Sequence, residues 1–205
     1  IDRIVDHPGF SDDIKKEYVL FASQEAVKSV REHPKYLRYY LRAAYVLRVA
    51  SRYDPGAKDR ALEIAEQAQK LFPDRYEPYL ELTEIASLNN DKKAMIRHGE
   101  AMAERDPRKS RSLWYLAWLY ARADDHSGMK KAIERALMQD CRVAAYADHI
   151  YLIAENMSPR PDPTLVALFT DLAILGPMGD YRLLLARQQV IEKVTKALQE
   201  KEKEG

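Results

Sequence analysis

The chain has almost none of the residues that form covalent or metal cross-links, since it contains a single cysteine, Cys141. One thiol excludes an internal disulfide and any metal site built from several cysteines. Glycine is scarce, with seven residues in 205, and no apolar run reaches the roughly eighteen residues that a membrane-spanning helix needs. Neither charge dominates, because 33 basic residues face 32 acidic ones. This balance argues against a general nucleic-acid binder, which carries a basic domain or stripe.

The common catalytic and phosphate-binding motifs are missing as well. The sequence has no H-E-x-x-H, G-x-S-x-G, P-loop or G-x-G-x-x-G pattern. Its five histidines show no pair at metal-ligand spacing: His7, His33, His98, His126 and His149. Asp124, Asp125 and His126 could form a carboxylate–imidazole set, but their place between two expected helices favours turn chemistry. We therefore expect no enzyme activity, no metal and no cofactor.

What the chain has in abundance is helix-forming residues and regularly placed helix stops. Ser11 is typical of a helix N-cap, and Asp12 and Asp13 suit the positive end of a helix. Prolines and short polar turns separate the later segments. The pattern predicts no strand and about ten helices, at residues 11–32, 35–53, 57–72, 75–88, 92–105, 109–122, 128–139, 143–155, 163–175 and 180–200.

The helix stops recur at a fixed pitch of 34 residues, which separates Pro73, Pro107 and Cys141. The same spacing relates Ala61 to Met95 and Met129, Ala65 to Gly99, Ala68 to Met102 and Ala136, Leu82 to Leu116, Ile85 to Leu119, and Asp106 to Asp140. A 34-residue period of small and apolar positions is typical of an array of helix–turn–helix units. The interval from Pro34 to Pro73 is five residues longer, and the surplus falls at residues 53–58.

The repeat resembles the tetratricopeptide repeat (TPR) over about residues 35–141. The matching residues are Ala61, Ala65, Ala68 and Pro73, then Tyr79, Leu82, Ala86, Met95, Met102 and Asp106-Pro107, then Leu113, Leu116, Ala117, Tyr120, Met129, Ala136 and Asp140. Thr83, Met95, Met129 and Cys141 depart from the family pattern. The resemblance implies an all-α, right-handed superhelical solenoid of antiparallel helix pairs. Its parts would be a flanking helix at 1–34, repeats at 35–157, and a proline linker with capping helices at 158–205. An irregular helical bundle is the alternative.

A TPR array also implies a concave groove lined by the first helix of each pair. The register gives three rows of groove residues: Arg38, Glu77, Arg111 and Ala145; Leu41, Leu80, Trp114 and Asp148; Tyr45, Glu84, Trp118 and Leu152. Tryptophans often dominate binding surfaces, and Trp114 and Trp118 either line the groove or pack in the interior. Four arginines on one helix form a stripe that is either solvated or clamps an acidic peptide: Arg38, Arg42, Arg48 and Arg52.

These features predict a non-catalytic scaffold that binds a peptide, a partner protein or a second copy of itself. The carboxylate clamp of chaperone-binding TPRs is not expected. Its positions here hold Leu41, Tyr45, Glu81, Arg111 and Tyr115, and Glu81 would repel a carboxylate. A helical-repeat RNA binder is a further alternative, disfavoured by the acidic groove residues Glu77, Glu84 and Asp148.

A second resemblance concerns the protein to which the repeats would belong. The segment 72–82, together with the acidic start of the first helix and the longer first repeat, is similar to the soluble TPR tails of O-antigen ligase or polymerase-type membrane proteins. That resemblance implies an accessory domain beside a membrane portion that carries the glycan chemistry. The start at Ile1, without Met or a leader, indicates a partial or processed chain. A cytoplasmic location is the default expectation, and the soluble tail of a membrane protein is the alternative.

Overall fold

Within each of two compact units, consecutive helices pack on their chain neighbours in the fold, which is given by a computed structural model. The structure describes residues 1–106, 109–139 and 153, and all regular secondary structure within them is helical. The helices are α1 (Asp2–Val5), α2 (Asp12–Glu32), α3 (Leu37–Ala50), α4 (Ala57–Leu71), α5 (Glu77–Leu88), α6 (Lys92–Arg105), α7 (Lys109–Ala123) and α8 (His126–Gln139). Two compact units divide the chain, Ile1–Arg105 with α1–α6 and Asp106–Gly205 with α7 and α8.

The helices α2–α8 correspond to the first seven predicted helices, with ends that differ by three residues or fewer. The largest difference is at the end of α3, where the backbone N–H groups of Tyr53 and Asp54 both donate to the carbonyl of Ala50 at 2.9 Å. These bonds close the helix three residues before the predicted end. The short α1 was not predicted. The predicted helices at 143–155, 163–175 and 180–200 lie outside the described residues, apart from residue 153.

Within the first unit, small side chains allow the helices of a pair to approach closely. Each helix from α2 to α6 packs on the next, and α3 also packs on α5. Seven alanines on α3 and α4 are at most 1% exposed: Ala43, Ala44, Ala50, Ala57, Ala61, Ala65 and Ala68. Because alanine ends at Cβ, these positions bring the two backbones together, and Leu47 and Leu82 fill the remaining core.

The backbone conformation of the turns between paired helices also recurs at the 34-residue spacing. Asn90 and Asp124, 34 residues apart, both adopt the left-handed conformation, with φ of 54° and 67°. Asn and Asp tolerate this conformation better than most residues. The next residue, Asp91 or Asp125, caps the following helix, because its carboxylate accepts the backbone N–H three residues further on, at 3.0 and 2.8 Å respectively. The α5–α6 and α7–α8 turns are therefore built from the same chemistry.

The proline stops of the first unit share a second recurring contact. The hydroxyl of Tyr40 donates to the carbonyl of Pro34 at 3.1 Å, and that of Tyr79 to the carbonyl of Pro73 at 3.2 Å. Both the prolines and the tyrosines are 39 residues apart, which is the pitch plus the five-residue surplus. The connection between α3 and α4 is accordingly longer than the α5–α6 turn.

In the described part of the second unit, α7 packs on α8. Its buried residues include the positions that the period relates to the first unit: Leu116 and Leu119 match Leu82 and Ile85, and Met129 matches Met95. A Cβ at Gly128 would run into the ring of Tyr120, so a larger residue there would force this ring to move away from α8. The all-α class is thus confirmed for the described residues, which are compatible with a helical repeat.

Two leucines of α5 test this account of the core. Leu82 is 1% exposed and Leu88 is 51% exposed. We expect Leu82→Ala to lower the free energy of unfolding by about 2–5 kcal/mol, since it removes apolar contacts and leaves a cavity. The matched change Leu88→Ala should stay within about 0.5 kcal/mol of the parent. Urea denaturation followed by circular dichroism measures both, and equal losses would contradict the assignment of Leu82 to the core.

Candidate partner-binding surface

Six of the predicted groove residues lie in the first unit, on two helices that contact each other. Arg38, Leu41 and Tyr45 are on α3, and Glu77, Leu80 and Glu84 are on α5. Arg38 is exposed, and the other five are half-buried. Their spacing of three to four residues places the members of each helix on one face. We call the surface formed by Leu41, Tyr45 and Arg48 of α3 with Leu80, Glu81 and Glu84 of α5 the α3–α5 face.

An ionic link joins the two helices in the middle of this face. The guanidinium of Arg48 lies 3.5 Å from a carboxylate oxygen of Glu81 and 3.4 Å from one of Glu84. It also lies 5.2 Å from the ring centroid of Tyr45, within the range of a cation–π contact. All three charged side chains are at least two-thirds shielded from solvent. Arg48 therefore belongs to a structural link and is not part of a solvated basic stripe.

The predicted rows placed Tyr45 beside Glu84 and did not connect Arg48 with either glutamate. Helical side chains point toward the N-terminus of their helix, and arginine is long enough to reach back by a turn. Arg48, one turn beyond Tyr45, can thus reach the residues that face Tyr45. The link therefore depends on the direction and reach of a long side chain, which residue spacing alone does not give.

Ionisation of the Glu81 carboxyl is less favourable at this position than in water. Burial raises the pKa of Glu81 above its ordinary value, the attraction to Arg48 opposes the rise, and the repulsion from Glu84 adds to it. The removal of water outweighs the ion pair, because a partly buried arginine shared by two carboxylates does not replace the hydration of both. The link orders the face at a cost in stability when Glu81 is ionised.

The edges of the predicted rows carry local contacts. The guanidinium of Arg38 lies 4.7 Å from the ring centroid of Tyr39 and donates to its hydroxyl at 2.9 Å. Glu77 forms an ion pair with Arg75, and the hydrogen bonds from this arginine are the main cause that lowers the pKa of Glu77. Both residues stay at the rim of the α3–α5 face rather than in its centre.

Beside this face, α2 and α3 enclose an open cleft of about 550 Å³. Aromatic rings line both of its sides, with Tyr18 and Phe21 on α2 and Tyr39 and Tyr45 on α3. Its two charged lining residues are Glu25 of α2 and Arg42 of α3, and the remaining lining residues are Ile1, Ala22, Ala26, Ser29 and Val46. We call this feature the α2–α3 cleft. It was missed from the sequence, although Phe21 and Tyr18, three residues apart on a polar helix, were a usable signal.

The other predicted site residues, Arg111, Trp114 and Trp118, lie on α7 in the second unit. Trp114 is fully buried, so its side chain offers no surface to a partner in this structure and packs in the interior. Trp118 is half-buried, with its ring 5.2 Å from that of Tyr115 and 5.7 Å from the guanidinium of Arg122. Arg111 is exposed. Ala145, Asp148 and Leu152, which complete the rows, lie outside the described residues.

The described residues include no group of side chains placed as metal ligands. Within residues 1–106 and 109–139, no three His, Cys, Asp or Glu side chains converge as metal ligands would. Asp124 and His126 lie 3.4 Å apart, but Asp124 forms the left-handed turn and Asp125 caps α8. The turn explanation accounts for this acidic cluster. In the same part of the chain, every helix is too short or too polar to cross a membrane.

Comparison with protein-family models gives no match, and comparison with curated proteins gives none either. The resemblance to TPR proteins therefore rests on the residues of this chain and on the recurring turns and buried positions described above.

The ionic link predicts a specific pH dependence of stability. A raised pKa means that the folded chain binds the Glu81 proton more tightly than the unfolded chain does. Relative to Glu81→Gln, the parent should therefore gain stability as the pH falls through the raised pKa of Glu81, and the gain should be complete below the ordinary value of 4.5. Urea denaturation between pH 7 and pH 4 measures the difference between the two chains.

Two features make this difference interpretable. Both chains keep His98, whose pKa is lowered chiefly by burial, so its titration cancels in the comparison. Glu63→Gln, an exposed change on α4, corrects for the loss of one negative charge. A parent chain that loses stability relative to Glu81→Gln on acidification would show that the ion pair, and not burial, dominates at this site.

Proposed function

We propose that the chain is a non-catalytic protein-interaction module of TPR-like helix pairs, which binds a segment of a partner protein on the α3–α5 face. The observation that carries the proposal is the composition of this face. Half-buried apolar residues, Leu41, Tyr45 and Leu80, flank a charged link that already has its partners inside the protein. A face with apolar anchors and fixed side chains loses little conformational entropy on binding, which favours recognition of a protein segment.

The TPR-like reading is supported by the repeat of structural roles. The turns at Asn90 and Asp124 recur at 34 residues, and the tyrosine–proline contacts recur at the lengthened pitch. In the TPR arrangement the first helices of successive pairs, here α3 and α5, form the inner surface. Repeat proteins of this kind use that surface for binding.

The electrostatics of the face favour a protein over a nucleic acid. Glu77, Glu81 and Glu84 place three carboxylates on α5, and they would repel a phosphate backbone. Arg48, the basic residue at the centre, is held by two of them. An apolar segment flanked by neutral or basic residues matches this surface better than an acidic one.

The proposal is tested by peptides selected from a random display library on the parent chain. We expect Leu41→Ala and Leu80→Ala each to weaken binding of the selected peptides by about fivefold or more, since truncating an anchor residue at the centre of an interface costs more than about 1 kcal/mol. Leu71→Ala, on an exposed leucine of α4, is the matched control and should bind as the parent does. Isothermal titration calorimetry gives the dissociation constants, and circular dichroism confirms that the variants are folded. Selected peptides that ignore both changes would overturn the assignment of the face.

A further inference from the structure

The outer side of α2 carries large apolar side chains that nothing in the described part of the chain covers. Ile14, Tyr18 and Phe21 are 52%, 41% and 63% exposed, and their spacing of four and three residues places them on one face of the helix. Phe10, just before α2, is 41% exposed and extends the row. Exposed apolar side chains that form a continuous patch are a common mark of a protein interaction site.

The same surface carries both a protruding aromatic side chain, Phe21, and a recess, the α2–α3 cleft. Phe21 and Tyr18 stand at the α2 edge of the α2–α3 cleft, whose opposite side is formed by Tyr39 and Tyr45 of α3. The cleft volume of about 550 Å³ lies within the range of pockets that enclose ligands. An aromatic side chain can therefore enter it, and each copy of the chain supplies one such side chain at the rim.

The two charges of the cleft are of opposite sign and are both available. Arg42 and Glu25 are exposed, and neither side chain forms a hydrogen bond or ion pair within the described part of the chain. The other two arginines of α3 are engaged, Arg38 with Tyr39 and Arg48 with Glu81 and Glu84. Arg52, which lies just after α3, pairs with Asp6 at 3.3 Å. Arg42 is thus the arginine of this helix that remains available for a partner.

We propose that the α2–α3 cleft binds a second copy of this chain in a symmetric dimer. In a twofold interface each contact occurs twice, so one surface must carry both members of every pair. This surface does so, because Phe21 of each copy can enter the cleft of the other and Arg42 can pair with the partner's Glu25. A membrane or an acidic ligand would leave Glu25 buried or repelled, whereas a second copy neutralises both charges.

The first test measures self-association of the parent chain by sedimentation equilibrium over a wide concentration range. We expect a monomer–dimer equilibrium, and Phe21→Ser should raise its dissociation constant by about tenfold or more, as loss of a central aromatic does. Leu71→Ser, which alters a leucine of similar exposure on α4, should leave the equilibrium unchanged. A parent chain that stays monomeric at every soluble concentration would overturn the proposal, as would a dimer that Phe21→Ser does not weaken.

A charge exchange tests the symmetry itself. Arg42→Glu and Glu25→Arg should each weaken the dimer, because like charges then face each other twice. Mixing these two variants should give a heterodimer, since all four groups are then oppositely paired, and the double change in one chain should restore the homodimer. Lys93→Glu, an exposed charge reversal on α6, is the control. Failure of both the mixture and the double variant to associate would show that Arg42 and Glu25 do not form the pair.

The dimer proposal and the peptide-binding proposal are tested by different variants. Leu80 lies on α5 and does not line the cleft, so Leu80→Ala should leave the dimerisation constant unchanged while it weakens peptide binding. Phe21→Ser should do the reverse. Peptide binding lost by Phe21→Ser together with an unchanged dimerisation constant would identify the cleft as a peptide site and would refute the dimer.

Discussion

The close approach of paired helices is the constraint on which the rest of the first unit depends. Buried alanines on both α3 and α4 allow the two backbones to meet, and a larger side chain there would separate them. Because α5 packs on both members of this pair, its position follows from theirs. The distance between Arg48 and Glu81 then depends on the same contact, although neither residue takes part in it. Small residues in the core thus determine which charged residues can meet on the surface.

The ionic link illustrates how a fold can keep a contact that stabilises it little. Partial burial of Glu81 raises its pKa despite the nearby arginine, so folding makes ionisation of this carboxyl less favourable than it is in water. A pair of this kind contributes more by excluding other arrangements than by its net energy, because displacing Arg48 would leave two shielded carboxylates without a cation. We infer that the link fixes the relative position of α3 and α5. A surface fixed in advance loses less entropy when a partner binds.

Local chemistry explains what could be predicted from the sequence. Ser11 caps α2 as expected, accepting the backbone N–H of Ile14 at 3.4 Å, and the helix boundaries follow prolines and polar turns that act within a few residues. The positions that the 34-residue period relates, Ala61, Met95 and Met129, are all buried. The α2–α3 cleft and the Arg48 link were not predictable in this way. Both depend on how two helices are placed in space, and on the reach of long side chains between them. Trp114 shows the same limit, since spacing alone does not distinguish a groove-facing tryptophan from a buried one.

Tyr45 connects the two surfaces that the first unit presents. Its side chain lines the α2–α3 cleft and also lies beside the guanidinium of Arg48 on the α3–α5 face. Arg42 and Arg48 are six residues apart, which places them roughly 120° apart around α3, so one arginine can serve each surface. Contact with one surface need not cover the other, because the cleft is formed with α2 and the link with α5. A tyrosine shared by both nevertheless means that a ligand which reorients this ring in the cleft also changes the contact that orders the α3–α5 face.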